Sequence, residues 1–233
     1  MIGGIKMIFF DIDGTLLDHK GAELEGIKKF YEKYEFDKIT DFETFRKAWV
    51  NCSNKNFNKY LNKELSFEEQ RANRIIDVFS EFGIRIDYAE GLKKFNDYLK
   101  VYEESWKAYG DVIPCLESLK GQRLGIISNG DHQQQITKLQ KIGVAGYFED
   151  VITAGGVGVA KPNAKIFEIA CERNNVRIEN CYYIGDDIKS DILPCKEIGM
   201  KAILINRNNK EVDGEIIQIK SFDELKKHLY KGK

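Results

Sequence analysis

The stretch Met7-Ile8-Phe9-Phe10-Asp11-Ile12-Asp13-Gly14-Thr15-Leu16-Leu17 decides the reading of this 233-residue chain. Four apolar residues predict a short buried strand, and two carboxylates, two positions apart, fall where that strand ends. The carboxyl edge of a parallel sheet is where α/β folds gather ligands. Two like charges held there are costly unless something cationic or catalytic uses them. Gly14 and Thr15 follow, predicting a sharp turn with free backbone amides and a hydroxyl. A carboxylate nucleophile, a second carboxylate that moves a proton and a hard cation between them would account for the combination.

Beyond this strand the sequence changes style twice. From about Leu24 to Ala108 it reads almost wholly as helix. Ile27, Phe30, Tyr31 and Tyr34 recur at helical spacing, and Phe42, Phe45 and Trp49 do the same after a cap at Thr40 or Asp41. Ser66-Phe67-Glu68-Glu69 is a capping-box start. Tyr88, Leu92, Phe95, Leu99, Tyr102 and Trp106 carry a last long helix, and the segment holds no proline. From Gly110 onward, short apolar strands alternate with helices. The strands are Arg123 to Ser128, Asp150 to Thr153, Cys181 to Gly185 and Lys201 to Ile205; the helices are Pro114 to Leu119, Gln133 to Ile142, Ile166 to Arg173, Ile188 to Ile198 and Phe222 to Leu229. Such alternation predicts a parallel sheet covered on both faces, which the first strand must join. The expected architecture is α/β: a Rossmann-like core from residues 1–17 and 110–233, with an all-helical cap, residues 18–109, inserted after the first strand.

Four short motifs fall at the carboxyl ends of the strands or just beyond: Asp11-Ile12-Asp13-Gly14-Thr15, Ser128-Asn129-Gly130, Lys161-Pro162 after a glycine-rich loop, and Gly185-Asp186-Asp187 followed by Asp191. Strand ends of a parallel sheet share one edge, so these residues can converge although far apart in sequence. Several carboxylates, a hydroxyl, a lysine and glycine-rich backbone suit a magnesium ion and a phosphoryl group.

In order and strand context the four motifs resemble the haloacid dehalogenase superfamily, in its phosphatase branch with a helical cap between the first and second motifs. The resemblance covers nearly the whole chain. It implies hydrolysis of a small phosphomonoester, a nucleotide or sugar phosphate, through an aspartyl-phosphate on Asp11. It further implies that Asp13 protonates the leaving alcohol and then takes a proton from water. The Ser128 hydroxyl and the amides of Asn129 and Gly130 would hold the phosphoryl oxygens, Gly14 and Thr15 would also bind the phosphate, and Lys161 would neutralise charge. Mg2+ would be bound by Asp11, the Asp13 backbone carbonyl and Asp186, with Asp187 and Asp191 behind it. The cap would close over the site and choose the substrate. A phosphosugar mutase shares these parts. A 2-haloacid dehalogenase lacks the second acid at Asp13 and needs no metal, and a non-catalytic binding protein would show eroded motifs.

Single motifs admit plainer readings. Asp-x-Asp-Gly is half of a calcium loop, but here glycine is fourth, not sixth, and a strand precedes it. Asp186-Asp187 could serve only the dipole of the following helix. Gly155, Gly156 and Gly158 lack dinucleotide-binding spacing. His132 reads as a surface residue at a helix start, and the cap aromatics as core packing. Trp49, Asn51, Asn54, Asn58, Arg71 and Arg74 are the candidate substrate contacts of the cap.

Composition narrows the partners. With 36 basic and 37 acidic residues the net charge is −1, which leaves no broad electrostatic footprint for nucleic acid or membrane. Five cysteines, Cys52, Cys115, Cys171, Cys181 and Cys195, form no C-x-x-C pair and are expected as buried free thiols of a cytoplasmic protein. Three histidines, His19, His132 and His228, leave little for zinc or triad chemistry. Residues 1–4 followed by Lys6 are too short for a signal h-region. The expected partner is a small phosphorylated metabolite, with a monomer or weak dimer as the assembly.

Overall fold

Strand β1 (Met7–Phe10) is fully buried along its whole length, as its unbroken apolar run requires. The computed structural model describes residues 6–212 and 214–229, so the leader reading at residues 1–4 lies outside them. Four helices follow β1: α1 (His19–Lys33), α2 (Phe42–Leu61), α3 (Phe67–Glu81) and α4 (Tyr88–Glu104). Then come α5 (Val112–Ser118), β2 (Leu124–Ser128), α6 (His132–Lys141), β3 (Asp150–Thr153), α7 (Ala154–Val157), α8 (Lys165–Arg173) and β4 (Cys181–Gly185). A π-helical turn at Ile188–Ile192 leads into α9 (Leu193–Glu197), and β5 (Lys201–Ile205), β6 (Gln218–Ile219) and α10 (Leu225–Leu229) complete the order. The chain divides into two compact units, Met1–Asp18 with Lys107–Lys233, and His19–Trp106.

The first unit is an α/β sandwich. Its sheet runs β3-β2-β1-β4-β5-β6, with every pairing parallel. β1 is therefore interior, with β2 on one side and β4 on the other. The chain builds outward to β3, then crosses back to β4, and this reversal creates a crevice beyond the strand ends. Register sets what meets there. Phe10 pairs with Ile126 of β2 and Ile184 of β4, and the Asp11 amide donates to the Ile184 carbonyl at 2.9 Å. Asp11 and Gly185 thus leave their strands at the same level. One face of the sheet packs Met7, Phe9, Ile127 and Tyr183 against Phe167 of α8, the Phe167 and Tyr183 rings meeting edge-on at 5.0 Å. The two-residue strand β6 was not predicted, since Gln-Ile gives no apolar run.

The second unit is helical throughout. Asp41 caps α2, and the capping box at Ser66 and Glu69 forms as predicted, with a second at Asp87 and Glu90 opening α4. Its centre is aromatic: the Trp49 ring lies 4.9 Å from Phe30 and 4.7 Å from Tyr98, and Phe36 packs on Phe45 and Phe79. No helix among the described residues is long and apolar enough to cross a membrane.

Candidate active site

Asp11, Lys161 and Asp191 form the buried heart of the site, at 5%, 4% and 1% exposure. Lys161 arrives on the loop after α7 and places its Nζ 2.7 Å from Asp11 Oδ1, 2.7 Å from Asp191 Oδ1 and 2.9 Å from the Tyr183 hydroxyl. An ammonium has three protons, and here each has an acceptor. The Tyr183 hydroxyl in turn donates to the Ile127 carbonyl at 2.8 Å, tying β4 to β2 beneath the site. Burial pushes the Tyr183 phenol well above its usual range, with Asp191 and Asp11 adding to the effect, so the proton stays.

Charge around this lysine is unbalanced. Burial raises the Asp11 carboxyl to about 6; Lys161 opposes the rise, while Asp191 and Asp13 add to it. For Lys161 burial alone would lower the value, but Asp11 and Asp191 outweigh it and hold the ammonium above its ordinary range. The single charge of Lys161 therefore faces two carboxylates, Asp11 and Asp191. Oxygen atoms of Asp11, Asp186 and Asp191 lie within 4.8 Å of one another. Hard oxygen donors with surplus negative charge fit a divalent cation such as Mg2+. Asp191 is held further, its Oδ2 accepting from the Asp187 amide at 3.1 Å.

Two glycines make room for these carboxylates. A Cβ on Gly14 would lie 2.3 Å from Asp186 Oδ2, and a Cβ on Gly185 would lie 2.3 Å from Asp191 Oδ2. Gly14 also has φ +86°, a left-handed conformation that costs other residues energy. Gly14 and Thr15 do not present free amides, however. The Gly14 amide donates to Leu17 O at 2.9 Å and the Thr15 amide to Ile12 O at 3.3 Å, because so tight a turn satisfies its own backbone. What remains is the Thr15 hydroxyl, fully buried and without a partner among the described residues.

The second motif is tied to the third. Asn129 Nδ2 donates to Lys161 O at 3.0 Å and Asn129 Oδ1 accepts from the Lys161 amide at 2.8 Å, a two-way clip that fixes the root of the lysine. The Asn129 side chain thus holds the lysine, and Ser128 stands beside it with 1% exposure. Gly130 carries φ +118° and its carbonyl accepts from Gly155 at 2.8 Å. Asp187 accepts from the amide and hydroxyl of Ser190 at 2.7 and 2.9 Å, so its side chain serves as a helix cap and only its backbone touches Asp191. His132 hydrogen-bonds Thr153 Oγ1 at 3.2 Å.

In the helical unit, Trp49 is fully buried in the aromatic centre, while Asn51, Asn54 and Asn58 are exposed. Arg71 stacks on Phe67 and Arg74 on Phe95, both half-buried. All five cysteines are free and buried.

The family description "haloacid dehalogenase-like hydrolase" matches residues 5–199 of this chain. The chain belongs to that family. Glyceraldehyde 3-phosphate phosphatase of Methanothermobacter thermautotrophicus is 29% identical over 223 residues, covering 94% of this chain and 93% of the relative. Pyrimidine 5'-nucleotidase YjjG of Escherichia coli is 26% identical over 212 residues, covering 88% and 87%. Among solved structures, the HAD-hydrolase YfnB of Bacillus subtilis, described as bound to magnesium, superposes with a TM-score of 0.79 at 23% identity over 97% and 98% of the two chains. At that identity the likeness carries the Rossmann-like fold.

Three residues of this haloacid dehalogenase-like hydrolase escaped the sequence reading. Tyr183 sits in a strand where its neighbour Tyr182 is chemically indistinguishable, and only the facing direction gives it Lys161. Gln135 and Lys138 lie three apart on α6 and both are buried, with Lys138 Nζ 2.7 Å from each oxygen of Asp13. A lysine and a glutamine on a helix read as a solvated face; their burial was the missing signal.

Proposed function

We propose that this hydrolase cleaves a small phosphomonoester, with Asp11 as nucleophile and Asp13 as proton donor and acceptor, in a unit made of Met1–Asp18 and Lys107–Lys233. The observation that carries the reading is the Asp11 carboxylate. It is buried at the sheet's carboxyl edge, one oxygen is pinned by Lys161, and an excess of carboxylate calls for a cation. In the first step an Asp11 oxygen attacks phosphorus, the P–O bond to the leaving alcohol breaks, and Asp13 supplies that alcohol's proton. In the second, water attacks the same phosphorus, Asp13 takes its proton, and the Asp11 carboxylate is regenerated with release of phosphate. Lys161 and the donors around Ser128, Asn129 and Gly130 offset charge on the phosphoryl oxygens, and the orphaned Thr15 hydroxyl is a further donor. Mg2+ held by Asp11, the Asp13 backbone carbonyl and Asp186 would neutralise charge there as well, with Asp191 orienting Lys161.

The relatives' names, phosphatase and nucleotidase, support a small phosphorylated metabolite as the substrate. Asp13 argues against carbon–halogen cleavage, which has no alkoxide to protonate. The experiment is a phosphate-release screen with Mg2+ over sugar phosphates, triose phosphates and nucleoside monophosphates. Release from one or more of them, lost in Asp11→Asn and in excess EDTA, is the expected result. Full turnover by Asp11→Asn rejects the nucleophile, and isomerisation of a phosphosugar without phosphate release makes the enzyme a mutase.

A further inference from the structure

Lys138 and Gln135 project from the buried face of α6, a place where an apolar residue would pack at less cost. Their side chains are nearly closed to solvent, and both turn toward the same carboxylate. Lys138 Nζ stands 2.7 Å from Asp13 Oδ1 and 2.7 Å from Asp13 Oδ2. Gln135 Nε2 lies 3.1 Å from Asp13 Oδ2, 2.9 Å from Ser128 Oγ and 2.8 Å from the Asn129 carbonyl. A carboxylate gripped at both oxygens cannot rotate about its own bond. The amide that shares one of those oxygens also touches the first two residues of the second motif. One helix face therefore locks Asp13 to the turn where phosphoryl oxygens are expected.

We propose that Lys138 and Gln135 are positioning residues of the phosphatase, fixing the plane of the Asp13 carboxyl against the Ser128–Asn129 turn so that the proton Asp13 carries in the first step, in exchange for one Lys138 contact, faces the leaving oxygen. This rests on the phosphatase reading above and adds the group that makes its acid–base step directional. Proton transfer demands hydrogen-bond reach at the reacting atom, and small misplacement is expensive in rate. A lysine that merely compensates a half-buried carboxylate would matter to stability and to every substrate alike. In the first step, a positioning lysine matters only where the leaving oxygen needs a proton.

Leaving groups separate the two roles. An alkyl phosphate needs its oxygen protonated, whereas p-nitrophenyl phosphate leaves without help. Lys138→Met should lower kcat/KM, which reports only the first phosphoryl transfer, at least about tenfold for the alkyl ester and less than about threefold for the nitrophenyl ester. Lys138→Arg, which can still donate to both oxygens, should recover most of the loss, and Gln135→Leu should show the same selectivity more weakly. In an Asp13→Asn background, Lys138→Met should cost less than about twofold further, because its partner is already gone. Equal losses on both esters, or a full multiplicative loss in the double variant, overturn the inference. Should Asp13→Asn be selective for the alkyl ester while Lys138→Met is not, the positioning role falls and the phosphatase reading stands. Should Asp13→Asn show no selectivity, both fall together.

Discussion

Replacing Asp11 by asparagine should stabilise the metal-free protein at neutral pH while ending phosphate release. The folded protein holds the Asp11 carboxyl at about 6 against an ordinary 3.8, burial being the main cause. Between those values the folded chain binds a proton that the unfolded chain does not. The group's contribution to stability is therefore complete below about 3.8 and lost as the pH rises through about 6. At about 1.36 kcal/mol per pH unit, the ionised carboxylate at pH 8 costs on the order of 3 kcal/mol. Asparagine keeps an oxygen for Lys161 and carries no charge, so it escapes that cost. For a chain of this size the gain corresponds to roughly 6–12 °C in Tm as an upper figure. The assay is calorimetry of both proteins in EDTA from pH 4.5 to 8, alongside phosphate release. The difference in Tm should be small at pH 4.5 and reach its plateau above pH 7. Added Mg2+ should narrow it by stabilising only the wild type appreciably. A variant that melts at or below the wild type at pH 8, or a difference that ignores pH, would refute the charge argument.

Other substitutions probe the remaining contacts. Gly14→Ala places a Cβ 2.3 Å from Asp186 Oδ2 in a left-handed turn, so phosphate release should fall at least about a hundredfold. Titration calorimetry should show a matching loss of Mg2+ affinity; unchanged affinity would mean Asp186 is not a ligand. Tyr183→Phe removes the hydroxyl that receives Lys161 and serves the Ile127 carbonyl, and should cost about 1–3 kcal/mol in denaturant unfolding. Trp49→Ala empties the aromatic centre of the helical unit and should cost about 3–5 kcal/mol there, a value near zero being incompatible with its complete burial.

What was legible in the sequence followed from periodicity and strand polarity. An apolar run ending in Asp11 reads as a buried strand, and parallel strands put Ser128 and Asp186 on the same edge as Asp11 without any knowledge of contacts. What was hidden is partner choice across long separations. Nothing local says that Asn129 spends its amide on the Lys161 backbone, 32 residues away, or that Lys138 reaches Asp13 across 125. The Gly14 turn was read as offering amides because turns often do; whether it closes on itself depends on the conformation of Leu17. Asp187 went to its plainer role since Ser190, three residues on, is an ideal local donor. Polar burial on α6 has no sequence signature at all, as the same residues on an outer face would look identical.

The saturated ammonium of Lys161 has a consequence for how substrate is met. A free lysine carries up to about 2 kcal/mol of rotamer entropy that must be surrendered whenever it captures a ligand. Here three acceptors and a clipped backbone have already frozen the side chain, so that loss falls on folding rather than on binding. An arriving phosphate finds a positive charge at a fixed address, and any bond it makes to that ammonium must be exchanged for one the lysine already has.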